Sequence, residues 1–165
     1  LPSTTSPAPI VSTTPATTTS AARAGAPRPA AAPAASLLNI QLGSELVGQG
    51  PIQPGSQWSG TIGVSVVNVL GPWTSTVSLS PFRGERTNKT VQPVAYYSAP
   101  ETNCTLLLAK SPAVNKKPLG PTAVDAKAGG GVACLTSWTA TVDIFVPDTD
   151  LLADTYSATL THSIY

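Results

Sequence analysis

The sequence predicts an all-β protein: a two-sheet β-sandwich or jelly-roll-like domain preceded by an extended Pro/Thr/Ala-rich N-terminal tail. Three observations carry this. From Leu37 onward, apolar and polar residues alternate with period two through most of the chain, the pattern of strands that bury one face. Gly- and Pro-containing dipeptides separate the alternating segments, at Gly50-Pro51, Pro54-Gly55, Gly71-Pro72 and Pro147-Asp148, and these are turn signals. Charged residues make up only 10% of the 165 residues, against roughly a quarter in ordinary soluble domains. Thr, Ser, Gly and Pro take their place, as in turn-rich extracellular β proteins.

The tail runs from Leu1 to Ser36. It carries Pro2, Pro7, Pro9, Pro15, Pro27, Pro29 and Pro33 among clustered Thr and Ala, with no acidic or aromatic side chain from Ser12 to Ala35. Such a segment buries too little apolar surface to offset its ordering entropy, and it favours extended polyproline II. One spot differs: "PIVST", Pro9, Ile10, Val11, Ser12 and Thr13, holds the tail's β-branched apolar pair. It is the expected donor piece if the tail adds a strand to a neighbouring sheet.

The domain then spans residues 37–165. In "LLNIQL" Leu38, Ile40 and Leu42 share a face, and in "SGTIGVSVVNV" Ile62, Val64 and Val66 do. "WTSTVSL" aligns Trp73, Val77 and Leu79, and "VAYYS" and "CTLLLA" supply two short strands. "WTATVDIFV" aligns Trp138, Ala140, Val142, Ile144 and Val146, and "TYSATLTHSIY" aligns Tyr156, Ala158, Leu160, His162 and Ile164. No segment has amphipathic helical spacing. Residues 110–131, with their Lys, Pro and three consecutive Gly, are expected as a long surface loop.

Charge and cysteine content exclude several classes of partner. The net charge is +1, without the basic face that nucleic acid requires. Lys116-Lys117 reads as a solvated loop doublet. No apolar run reaches the ~18 residues of a membrane span. The absence of Met and of a leader gives the expectation of a processed, mature secreted chain. Cys104 and Cys134 read most simply as one disulfide, which would contribute about 3.5 kcal/mol by the chain-entropy account. Two free thiols or a metal pair are the alternatives, and two Cys with one His are too few for a metal site.

Two tryptophan segments, "WTSTVSLSPF" and "SWTATVDIFVP", and the closing "DTDLLADTYSATLTHSIY" together resemble the WxL-like surface domains of secreted Gram-positive bacterial proteins. The resemblance covers roughly Leu37 to Tyr165, with Trp73, Phe82, Tyr96-Tyr97-Ser98, Trp138, Pro147, Asp150 and Tyr156 to Ser163 in the family's order. Ala153-Asp154 stands where the family often has Ala-Gly, and the cysteine pair lies outside its pattern. The resemblance implies a secreted or wall-associated β-sandwich and no catalytic residues.

Individual candidates for chemistry are few. His162 is the single histidine; on an apolar strand face, with no nucleophile elbow beside it, it reads as a core or strand-end residue. Asp148, Asp150 and Asp154 are three carboxylates that could hold calcium, but the EF-hand spacing is missing and an Asp-capped turn is the competing reading. Trp58 follows "PGSQ" and is expected as the exposed ring, available to stack on cell-wall glycan. No cofactor is expected, and no enzyme. The expectation is a secreted or cell-surface structural protein that polymerises with copies of itself through its tail; a monomeric wall-associated binding or adhesion domain on a flexible stalk is the alternative.

Overall fold

The computed structural model describes residues 10–15, 38–43, 47–48, 55–68, 71–105, 109–130, 134–147, 152 and 154–165. These residues hold no helix; the fold is all-β, built of two six-stranded sheets that share one core.

Strand β1 is Ile10–Pro15, followed by β2 (Leu38–Leu42), β3 (Val47–Gly48), β4 (Gln57–Asn68) and β5 (Trp73–Leu79). Next come β6 (Phe82–Gly84), β7 (Thr90–Val91), β8 (Val94–Ala99) and β9 (Thr102–Asn103). The chain finishes with β10 (Lys110–Ser111), β11 (Val114–Leu119), β12 (Val124–Gly129), β13 (Thr136–Phe145) and β14 (Tyr156–Ile164). One sheet has the order β11-β8-β13-β4-β2, with β3 also on β4. The other joins β12, β5, β14, β6 and β7, with β1 on β14. A separate two-stranded β9–β10 ladder packs against β12 and β13.

The alternation seen in sequence becomes burial. In β4, β5, β13 and β14 every second side chain is buried, and the residues between are half-buried or exposed. The two sheets meet at Trp73 of β5 and Trp138 of β13, whose rings stack 6.1 Å apart with planes 5° from parallel. Gly55 (φ 72°) and Gly71 (φ 140°) occupy two of the expected turns, with backbone that side-chain-bearing residues resist.

Residues 110–131, expected as a long loop, hold β10, β11 and β12. Strands β11 and β12 form outer edges of the two sheets, and each carries a register shift, between Val114 and Lys117 and between Asp125 and Ala128. Edge strands tolerate Pro, Lys and bulges because one side of their ladder is unpaired. Those residues break the period-two pattern, so the composition imitates a loop. Of "CTLLLA", Cys104 and Thr105 lie just outside β9, and residues 106–108 lie outside the described residues.

Candidate functional site at the edge of the C-terminal strand

Strand β14 is buried on its inner face from Tyr156 to Ile164. One of its edges is taken by the β5–β6 run. Leu160 to Ile164 pair antiparallel with Leu79 to Ser75, and Tyr156 and Ser157 pair with Gly84 and Arg83. Only Ser80-Pro81 separates these two stretches, too short a link to cross β14, so both lie on one side. There the Ser80 N–H donates to the Thr159 carbonyl (2.9 Å), and the Thr159 N–H donates to Ser80 Oγ (2.8 Å).

The other edge receives β1. Ile10 to Pro15 run parallel to β14 in register with Ser157 to His162, so Ser12 faces Thr159 and Thr13 faces Leu160. Every other ladder among the described residues is antiparallel. The sequence "IVSTTP" suits the place: four of its six residues are β-branched, which favours strand, and Pro15 ends it at an edge where a missing N–H costs little. Of the expected donor residues, Ile10, Val11, Ser12 and Thr13 therefore lie in β1, seated on their own chain. Pro9 lies outside the described residues.

Behind β14 the core is polar at one point. His162 is fully buried, and its Nε2 is 3.1 Å from the Tyr97 hydroxyl, whose oxygen accepts from Trp138 Nε1 (2.9 Å). His162 Nδ1 has no hydrogen-bond partner among the described residues, and its bonded neighbour is a phenol, not a carboxylate. Burial pushes its pKa down to about 4. Burial also raises the pKa of Tyr97, opposed by the bond from Trp138.

Lys127 is a buried cation that the sequence does not signal, since lysine is almost never fully buried. The β12 register shift falls on it, and a bulge re-aims a side chain. Ser75 Oγ closes the bulge, donating to the Lys127 carbonyl and accepting from its N–H, both at 3.0 Å. The Lys127 ammonium donates to the carbonyls of Pro100 (2.6 Å), Ser111 (3.2 Å) and Pro112 (3.1 Å), and lies 5.3 Å from the Trp138 ring centre. Three donors thus meet three acceptors, with an aromatic face beneath. Burial lowers its pKa to about 8, although the charge of Glu101 works the other way.

Asp154 has a buried side chain whose oxygens accept from the N–H groups of Arg86 (3.0 Å), Thr87 (2.8 Å) and Thr155 (2.8 Å) and from the Thr87 hydroxyl (2.7 Å). Desolvation acts to raise its pKa, but the donors from Thr87, Thr155 and Arg86 outweigh it and hold the carboxyl at about 2. This is the geometry of a turn cap that ties the 85–87 turn to the start of β14. Asp148 and Asp150 lie outside the described residues. Among the described residues no three His, Cys, Asp or Glu come together as a metal site.

Cys104 and Cys134 form a disulfide with a Cα–Cα distance of 4.6 Å. Trp58, expected as an exposed ring, is buried at 6% exposure, because the alternation of β4 turns it inward with Ile62 and Val64. The outward aromatic surface is elsewhere. Phe145 is exposed and meets Tyr96 edge to face at 6.0 Å, beside exposed Val94, which pairs with Phe145 across β8 and β13. No helix among the described residues is long and apolar enough to cross a membrane. No protein-family model matches the chain, and no curated protein matches it in sequence.

Proposed function

We propose that the chain is a non-enzymatic, secreted structural protein of the cell surface, a subunit that assembles into an extracellular filament through its N-terminal segment. The observation that supports this reading is the seat of Ile10–Pro15 on the β14 edge. Pairing of that kind rests on main-chain bonds, the means by which strand-donating subunits join. A disulfide suits an oxidising compartment outside the cytosol, and the resemblance to WxL-like domains points to the surface of a Gram-positive cell.

A second reading has an observation of its own. The outward cluster of Val94, Tyr96 and Phe145 offers an aromatic surface of the kind that stacks on sugar rings. It favours a monomeric, wall-associated binding or adhesion domain that carries its tail as a stalk.

Negative-stain electron microscopy of the full chain over a range of concentrations separates the two. The filament reading expects regular fibres that vanish when residues 1–36 are deleted. A monomer at every concentration favours the second reading, and fibres that survive the deletion overturn linkage through the tail.

A further inference from the structure

We infer that the β14 edge is an exchange site: it accepts β1 either from its own chain or, in the same parallel register, from a second copy. The inference rests on the filament reading and adds to it the acceptor strand, the register and a self-capped resting state. Three features carry it. Among the described residues, the ladder from Ser157 to His162 is held on that side by β1 alone, since β5 and β6 share the opposite edge. The seat lies next to β2, where the two sheets approach each other, and removing β1 bares the β14 edge from Ser157 to His162. And β1 reaches β2 only through residues 16–37, a length that spans roughly 70 Å if drawn out as polyproline II.

The energetics follow from identity of contacts. A β1 from a neighbour makes the same ladder as the chain's own, so closed and exchanged states differ by the tether and by concentration. A tether of this length sets an effective local concentration on the order of millimolar. Dilute chains therefore cap themselves, and chains crowded to that level exchange. Each copy offers one donor and one acceptor on different surfaces. The contact is heterologous, and it propagates unless the rotation closes it into a ring.

The test uses full-length chains carrying single cysteines at a register pair, Ser12→Cys in one batch and Thr159→Cys in another. Neighbouring strands lie about 4.8 Å apart, within the Cα range of about 4.4–6.8 Å that a disulfide spans. The two batches are mixed at filament-forming concentration, oxidised mildly and run without reductant. A batch with Ser163→Cys, beyond the β1 register, measures chance collision. Exchange expects the Ser12–Thr159 heterodimer at about tenfold or more over that control. The double variant should give a ladder of covalent multimers when concentrated and an intrachain-bonded monomer when dilute. Ile10→Cys with Ser157→Cys repeats the test should either first variant misfold. Fibres without a heterodimer above the control overturn the exchange site and leave the filament reading intact. Heterodimers without fibres uphold exchange and overturn the filament reading. Neither fibres nor heterodimers overturn both.

Discussion

His162 shows what a single buried titratable residue does to a β core. In the folded protein it stays neutral down to about pH 4, whereas the exposed imidazole titrates near 6.5. Between those values the unfolded chain takes up a proton that the folded chain refuses, so acidification costs stability throughout that window and none further below it. The full span is worth about 3 kcal/mol. Urea midpoints at pH 7, 5 and 4 should fall in the wild type, and His162→Gln should remove the part of that fall lying between pH 6.5 and 4. An unchanged slope in the variant would show that His162 is not the group responsible. Asp154 acts lower on the scale. Its folded pKa of about 2 lies below the ordinary 3.8, so its contribution is present above pH 3.8 and is lost as pH falls towards 2. The inward side of His162 is legible in the alternation of "TYSATLTHSIY". Its partner is not, because Tyr97 is brought to it by packing of the other sheet. Lys127 is illegible for a related reason: only a bulge turns it inward.

At the level of elements, the long strands β4, β5, β13 and β14 are legible because each buries one face against a shared core, and period two is the direct record of that. The edge strands β11 and β12 are hidden because edges admit Lys, Pro and bulges. The turn-like context of Trp58 suggests an exposed ring, and the alternation of β4 overrules that context. One edge feature is open to a sharp test. Gly129 of β12 stands directly across the ladder from Trp73, and a Cβ there would run into the Trp73 indole. Gly129→Ala should push that ring off its stack with Trp138 and cost about 1–3 kcal/mol, read as a lower urea midpoint with a weakened near-ultraviolet tryptophan signal. A variant as stable as the wild type, with that signal intact, would mean that the indole has room to move.

At the scale of the whole molecule, the disulfide and the N-terminal strand tie distant parts of the chain together. The Cys104–Cys134 bridge closes a loop across 30 positions and should contribute about 3.5 kcal/mol. Replacing both cysteines by serine should lower the urea midpoint accordingly with the strand signature in far-ultraviolet circular dichroism retained. Loss of that signature would make the bridge a condition of folding and not a supplement to it. The all-β class and the cysteine pair were legible in composition and spacing. The seat of β1 was not, because a parallel partner so far along the chain leaves no local trace.

That seat has a consequence in time. Ile10 and Ser157 lie 147 positions apart in the sequence (157 minus 10), yet the two face each other across a ladder. Closing so long a loop is the slowest kind of contact to make. The other ladders join residues closer in sequence, so β1 is expected to dock last. A refolding copy is therefore expected to pass through an interval with β1 loose and the β1 side of β14 bare. The outward residues of that strand, Ser157, Thr159, Thr161 and Ser163, are all hydroxyl-bearing, which keeps the waiting edge wettable. Crowding during that interval, and not only the final equilibrium, decides whose strand arrives first.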